Sequence, residues 1–153
     1  MGYGMASNIR KKLSSRSTMF INDVNSEACD RFVNEHQSYG PVEIVRTAKE
    51  AASRAPILVS IVPAAEHVRQ VYLDKENGVI AAPQSRERLI LESSTIDVDS
   101  QREVGKAVID AGVGSYYDAP VSVSFRSISY TITSTADLDR AVNGEQQPVP
   151  LLS

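Results

Sequence analysis

Residues 57–73 read ILVSIVPAAEHVRQVYL. The run Ile57–Val62 is apolar at every position but Ser60, which suits a strand covered on both faces inside a parallel sheet. Pro63 stops it, because proline has no amide to give to a ladder. Beyond the proline, Val68, Val71 and Tyr72 fall at helical spacing and mark one apolar face. A buried strand that turns directly into an amphipathic helix is one limb of a strand–helix–strand unit, so the rest of the chain is read for the same alternation.

Towards the N-terminus, Met5, Ile9 and Leu13 predict a helix over Tyr3–Ser14. Met19–Asp23 (MFIND) predicts a short buried strand that ends polar. Ser26 is placed to cap a helix carrying Ala28, Phe32 and Val33 and ending near His36. Val42–Val45 predicts a brief strand. Thr47 and Glu50 stand in capping-box spacing, and Pro56 ends the helix that follows them. Towards the C-terminus, Leu89–Leu91 predicts a strand and Glu92–Asp97 a polar turn. Asp97 or Ser100 caps a helix with Val104, Ala107, Val108 and Ala111 on one face, closed by Gly112. Ser115–Ala119 predicts another strand. The connections are too long for hairpins, so the expected class is α/β, a Rossmann-like parallel sheet with helices on both faces. Ligands of such sheets bind beyond the carboxyl ends of the strands. The residues to inspect are therefore Asp23, Pro63 with Ala64, Ser93–Thr95 and Asp118–Ser122.

Composition removes other classes. The chain has 153 residues, enough for one ordinary domain, with 42% hydrophobic and 23% charged residues. Sixteen Lys and Arg against nineteen Asp and Glu give a net charge of −3, which gives no support to a nucleic-acid partner held by phosphate neutralisation. Aromatic residues do not interleave with a basic patch. The single cysteine, Cys29, excludes an internal disulfide and a multi-cysteine metal site, and His36 and His67 lack metal-ligand spacing. No phosphate-binding G-x-x-x-x-G-K-[ST] loop occurs, since Gly105-Lys106 is followed by Ala107, and no G-x-S-x-G elbow points to a hydrolase. No apolar run approaches the roughly 20 residues of a bilayer span, so no membrane partner is expected.

The start of the chain carries weak address signals. Met1-Gly2 invites N-myristoylation, but Ala6 stands where Ser or Thr is wanted. No acid precedes Asp23, while Arg10, Lys11, Lys12 and Arg16 are basic, a composition shared by mitochondrial transit peptides and by ordinary amphipathic helices with a basic end. The expected location is the cytoplasm, with the mitochondrion as the alternative.

MGYGMASNI at 1–9, an apolar strand ending in Asp23, ILVSIVPAAEHVRQVYL at 57–73, and LILESSTID at 89–97 followed by YYDAPVS at 116–122 occur in a recognisable order and spacing. Together they resemble the 3-hydroxyisobutyrate dehydrogenase family of β-hydroxyacid dehydrogenases, whose first domain is a 6-phosphogluconate dehydrogenase-type NAD(P)-binding domain. SSTI and DAPVS are its most specific marks, and the resemblance spans residues 1–122. It implies that Gly2, with Tyr3 beside it, lies at a helix N-terminus under the dinucleotide pyrophosphate. It implies that Asp23 accepts the adenosine ribose hydroxyls, favouring NAD over NADP because a carboxylate repels a 2′-phosphate. Without the resemblance, Asp23 reads as a turn former before Asn25. Val62 and Pro63 match a strand end whose backbone lies against the cofactor. His67 falls one turn onward, where a lone histidine also reads as a solvated surface residue. Ser94 and Thr95 match hydroxyls near the nicotinamide, or else serve as capping residues. Ser122 matches the serine that holds the substrate carboxylate.

The sequence also departs from that family. The opening strand and the first two glycines of the fingerprint are not seen, and in the 3-2-1-4-5-6 order that strand is central. Each buried backbone group left without a partner costs on the order of 1–3 kcal/mol, against a net domain stability of about 5–15 kcal/mol. After Ser122 comes Val123-Ser124-Phe125-Arg126 in place of the family's glycines. Ser124–Thr133 alternates as an extra strand would, Thr135–Asn143 suits a short helix, and 145–153 reads as disordered. No lysine follows Lys106, whereas the resemblance implies a catalytic lysine in a second, helical domain. Residues 1–122 are thus expected to be an incomplete NAD(P)-binding domain and 123–153 a divergent tail. The chain is expected to be a truncated relative, through a misplaced start, an unremoved intron or a frameshift near residue 123. The expected function is that of the cofactor domain of a 3-hydroxyacid dehydrogenase, without activity as this chain. A small hydroxyacid would be a partner only if the missing domain were supplied. The alternative is a non-catalytic remnant or interaction module without cofactor affinity.

Overall fold

The structure, a computed structural model, describes residues 2–121. The readings made for Ser122, Ser124–Thr133, Thr135–Asn143 and 145–153 lie outside the described residues. Five helices alternate with five strands: α1 (Gly2–Lys12), β1 (Met19–Ile21), α2 (Ser26–His36), β2 (Val42–Ile44), α3 (Ala48–Arg54), β3 (Ile57–Ser60), α4 (Ala65–Leu73), β4 (Leu89–Glu92), α5 (Val98–Ala111) and β5 (Ser115–Asp118). Two 3-10 turns, Gln37–Tyr39 and Val79–Ala81, add to what periodicity anticipates. No helix among the described residues is long and apolar enough to cross a membrane.

Local chemistry explains most boundaries. The Thr47 hydroxyl accepts from the Glu50 amide at 3.1 Å and starts α3. The Glu50 carboxylate turns back to the amide of Arg46 at 3.0 Å, one residue before the expected capping-box partner. Asp97, not Ser100, caps α5 by accepting the Ser100 amide at 2.9 Å. The cap of α2 is Asn25 rather than Ser26, with its side-chain oxygen on the Ala28 amide at 3.2 Å. Gly112 ends α5 at φ +66°, a left-handed position that costs glycine nothing.

All strand pairs are parallel, but the sheet is in two parts, β1 with β2 and β3-β4-β5. The registers pair Met19 with Val42, Ile57 with Leu89, and Leu89 with Ser115. Helix α3 packs against both β1 and β3. The pairing of β3 corrects the reading of Ile57–Val62 as an interior strand. β3 ends at Ser60 and, among the described residues, has a ladder partner on one side only, and Ile57 and Val59 are 37% and 39% exposed.

Helix α1 lies against α2. Its first residue approaches Ile61, just past the carboxyl end of β3. Its Arg10 reaches the carbonyls of Ser17 and Pro41, just before β1 and β2. It therefore runs antiparallel to the strands. The core gathers Ala52, Val68, Tyr72, Val79, Ile90, Val104, Val108 and Val113 between α3, α4, α5 and the three-stranded sheet.

Candidate functional site

The carboxyl ends of β3 and β4 are tied by one polar network. Glu92, the last residue of β4, is fully buried. One of its oxygens accepts the Ser94 amide at 2.7 Å, and the other accepts the Ser60 hydroxyl. Ser60 has spent its single proton on the carboxylate, so the Tyr72 hydroxyl donates to Ser60 at 2.6 Å. The Ser94 hydroxyl in turn accepts the Val62 amide at 2.8 Å. The Ser93 amide continues the ladder to the Ser60 carbonyl at 2.8 Å. These bonds fix the turn Ile61–Pro63 relative to the turn Ser93–Thr95.

No ion pair to Glu92 occurs among the described residues. Burial, and then the charge of Glu92, push the Tyr72 phenol well above its ordinary value. The same two causes, in the same order, raise Tyr116 on β5. Tyr116 donates to Gln101, whose amide holds Asp118 at 2.9 Å. Glu92, held by the Ser60 hydroxyl and the Ser94 amide, thus lies buried beneath the strand ends.

The predicted residues fall as follows. Gly2 opens α1 beside Ile61, and a Cβ on it would stand 3.0 Å from the Ile61 methyl. The first turn of α1 carries no acidic residue, which suits an anion at its amide end. The Tyr3 side chain turns the other way. Its hydroxyl donates to Glu35 at 2.6 Å, its ring meets Phe32 edge-on, and the Arg31 guanidinium lies over it. Val62 and Ser94 are joined directly, with Pro63 and Thr95 exposed beside them. Gly2, Val62, Pro63, Ser94 and Thr95 therefore share one corner of the molecule. Asp23 is exposed after β1 and accepts the Asn25 amide at 2.9 Å, which is the turn-forming arrangement. His67 is exposed in the first turn of α4, with no side-chain hydrogen bond among the described residues.

Sequence reasoning missed Glu92, Ser60 and Tyr72. The one available signal was a carboxylate closing an otherwise apolar strand, LILE. A glycine-started helix with no acid in its first turn, beside the turns tied by Val62 and Ser94, suits a ligand with an anionic group.

The sequence matches, over residues 1–130, the family described as the NAD binding domain of 6-phosphogluconate dehydrogenase. It is 34% identical over 124 residues to the NAD-dependent L-serine dehydrogenase of Pseudomonas aeruginosa, an alignment covering 80% of this chain and 37% of that protein. It is 35% identical over 80 residues to the probable mitochondrial 3-hydroxyisobutyrate dehydrogenase of Dictyostelium discoideum, covering 52% of this chain and 24% of that protein. The crystal structure of a 3-hydroxyisobutyrate dehydrogenase from Salmonella typhimurium superposes with a TM-score of 0.60 at 25% identity, over 80% of this chain and 38% of that one. The chain thus spans less than two-fifths of the length of the relatives it matches.

Proposed function

The chain belongs to the NAD-binding domain family of 6-phosphogluconate dehydrogenase, and from that membership we propose that it binds the dinucleotide across the carboxyl ends of β1, β3 and β4 as the cofactor-binding part of a 3-hydroxyacid dehydrogenase. The observation that carries this reading is the corner where Gly2, Val62–Pro63 and Ser94 meet. The amides at Gly2 and Tyr3 receive the pyrophosphate at the positive end of α1. The Val62–Pro63 backbone lies along the cofactor, and Ser94 and Thr95 face the nicotinamide. His67 stands at the solvent edge of the same site.

Asp23 selects NAD over NADP. Its bond to the Asn25 amide leaves acceptor capacity for ribose hydroxyls, and its charge repels a 2′-phosphate. When bound, the oxidised dinucleotide supplies a hydride acceptor. The chain's own residues hold and orient it. L-serine and 3-hydroxyisobutyrate, named in the relatives, share a carboxylate and a primary alcohol on a three-carbon frame, and that is the substrate class assigned to the complete enzyme. Ser122, in DAPVS, is assigned to the substrate carboxylate. Proton transfer from the alcohol, typically a 10²–10⁴-fold contribution, falls to a residue beyond those described.

Calorimetric titration of the 153-residue chain with NAD and NADP, beside a far-UV melting curve, tests the reading. A cooperatively melting chain that binds NAD supports it. In that chain, Gly2→Val is expected to weaken binding about tenfold by crowding Ile61 and the anion position. Asp23→Ser is expected to erase most of the preference for NAD. A melting chain that binds neither dinucleotide overturns the reading.

A further inference from the structure

We infer that Glu92 is a positioning residue for the dinucleotide: it holds the Ser94 turn and, through the Ser94 hydroxyl, the Val62–Pro63 turn, and cofactor affinity depends on that hold. The inference rests on the dinucleotide reading above and deepens it, by adding to the site a residue that does not touch the ligand.

Two turns leave the sheet side by side after β3 and β4. The register pairs Ser60 with Glu92, and the Ser93 amide adds one more rung by reaching the Ser60 carbonyl at 2.8 Å. There the ladder ends. The Val62 amide turns to the Ser94 hydroxyl at 2.8 Å, so that a side chain stands where a further rung would offer a carbonyl. Among the described residues, that is the only hydrogen bond from residues 61–63 to another part of the chain. Ile61 in turn stands against Gly2 at the start of α1. Moving this turn therefore moves the backbone beside the cofactor and the support of the α1 amide end together.

The Ser94 hydroxyl is aimed by the backbone that carries it, and Glu92 fixes that backbone. One Glu92 oxygen accepts the Ser94 amide at 2.7 Å. The other takes the Ser60 hydroxyl, which accepts in turn from Tyr72 at 2.6 Å. Glu92 and Ser94 are both fully buried, so a partner lost here is not replaced from bulk water. No charge on the carboxyl is required, since one oxygen accepts from the Ser94 amide in either protonation state. Groups that orient a ligand need to be held to within roughly 0.5 Å by the bonds behind them, and this buried relay supplies such bonds to both turns.

Glu92→Met keeps a long side chain and removes both acceptors. Glu92→Gln keeps an oxygen for the Ser94 amide and a polar group for Ser60. Titration of the 153-residue chain with NAD is expected to show binding weakened about tenfold in Glu92→Met and by no more than about threefold in Glu92→Gln. Amide hydrogen exchange separates a local hold from general stability. In Glu92→Met the Val62 and Ser94 amides are expected to speed up about tenfold relative to those of Ile90 in β4 and Val104 in α5. Unchanged NAD affinity in Glu92→Met, equal weakening by the two variants, or equal acceleration of all four amides overturns the inference and leaves the dinucleotide reading standing. Binding of neither NAD nor NADP by melting wild-type chain overturns both. Should Glu92→Met fail to melt cooperatively, Ser60→Ala carries the test, because it removes one of the two groups on Glu92 and leaves Ser94 in place. It is expected to weaken NAD binding about threefold and to speed exchange at Val62 relative to Val104; wild-type affinity in that variant overturns the inference.

Discussion

Arg10 is fully buried, and carbonyl oxygens surround its guanidinium. It donates to Ser14 and Ser17 at 2.6 Å each and to Leu13 at 3.3 Å. It joins the last turn of α1 to the segment entering β1, using the negative end of the helix as part of its counter-charge. In the sequence it reads as one more base in a polar, basic helix end. Arg10→Met is expected to strip these carbonyls of their donor and lower unfolding free energy by about 3 kcal/mol, read from the urea midpoint. Asp97 behaves differently because it is exposed. The Ser100 hydroxyl and amide hold its carboxyl below the ordinary aspartate range. A depressed folded value contributes stability that is present above the unfolded value and lost as pH falls through the folded one. The urea midpoint is therefore expected to drop on acidification below about pH 4. Asp97→Asn, which keeps the cap oxygen, is expected to flatten that acid limb.

At the scale of elements, all five helices and five strands between residues 2 and 118 were legible, because each carries its own periodicity and most carry a cap. The errors sit at strand carboxyl ends. β1 was read to Asp23 and stops at Ile21; β3 was read to Val62 and stops at Ser60. After β3 the apolar pattern continues through Ile61 and Val62, half-buried residues past the point where the backbone leaves the ladder, whereas after β1 the polar, exposed Asn22 and Asp23 had been counted into the strand. At the other end of α5, the left-handed Gly112 gives a direct test. Gly112→Ala is expected to cost about 1 kcal/mol, since any Cβ is strained at φ +66° whatever the space around it. The thermal midpoint should fall while far-UV dichroism of the native state is retained.

For the whole molecule, the division of the strands into β1-β2 and β3-β4-β5 matters most. Among the described residues β3 pairs with β4 alone and leaves Ile57 and Val59 more than a third exposed, and an apolar edge strand invites pairing with another chain. Val59→Lys is expected to suppress self-association in light scattering at micromolar concentration. It is expected to change the unfolding free energy by no more than about 0.5 kcal/mol. Unchanged scattering would show that this edge is not the site of self-association.

The sequence by itself determined the alternation of strand and helix, the parallel class, the cap at Thr47, and the family that the chain joins. These are properties of neighbours a few residues apart, or of motifs read as strings. The tertiary structure alone decided that Glu92 is buried beneath the strand ends, that Arg10 is a fully buried cation, and that the Tyr3 side chain faces α2 while Gly2 faces Ile61. Each depends on partners far away in the chain, such as Ser60 with Glu92, Val62 with Ser94 and Tyr3 with Glu35. Charged side chains are buried only where distant backbone and hydroxyl groups converge to replace their water. Residue type and local spacing carry no record of that convergence.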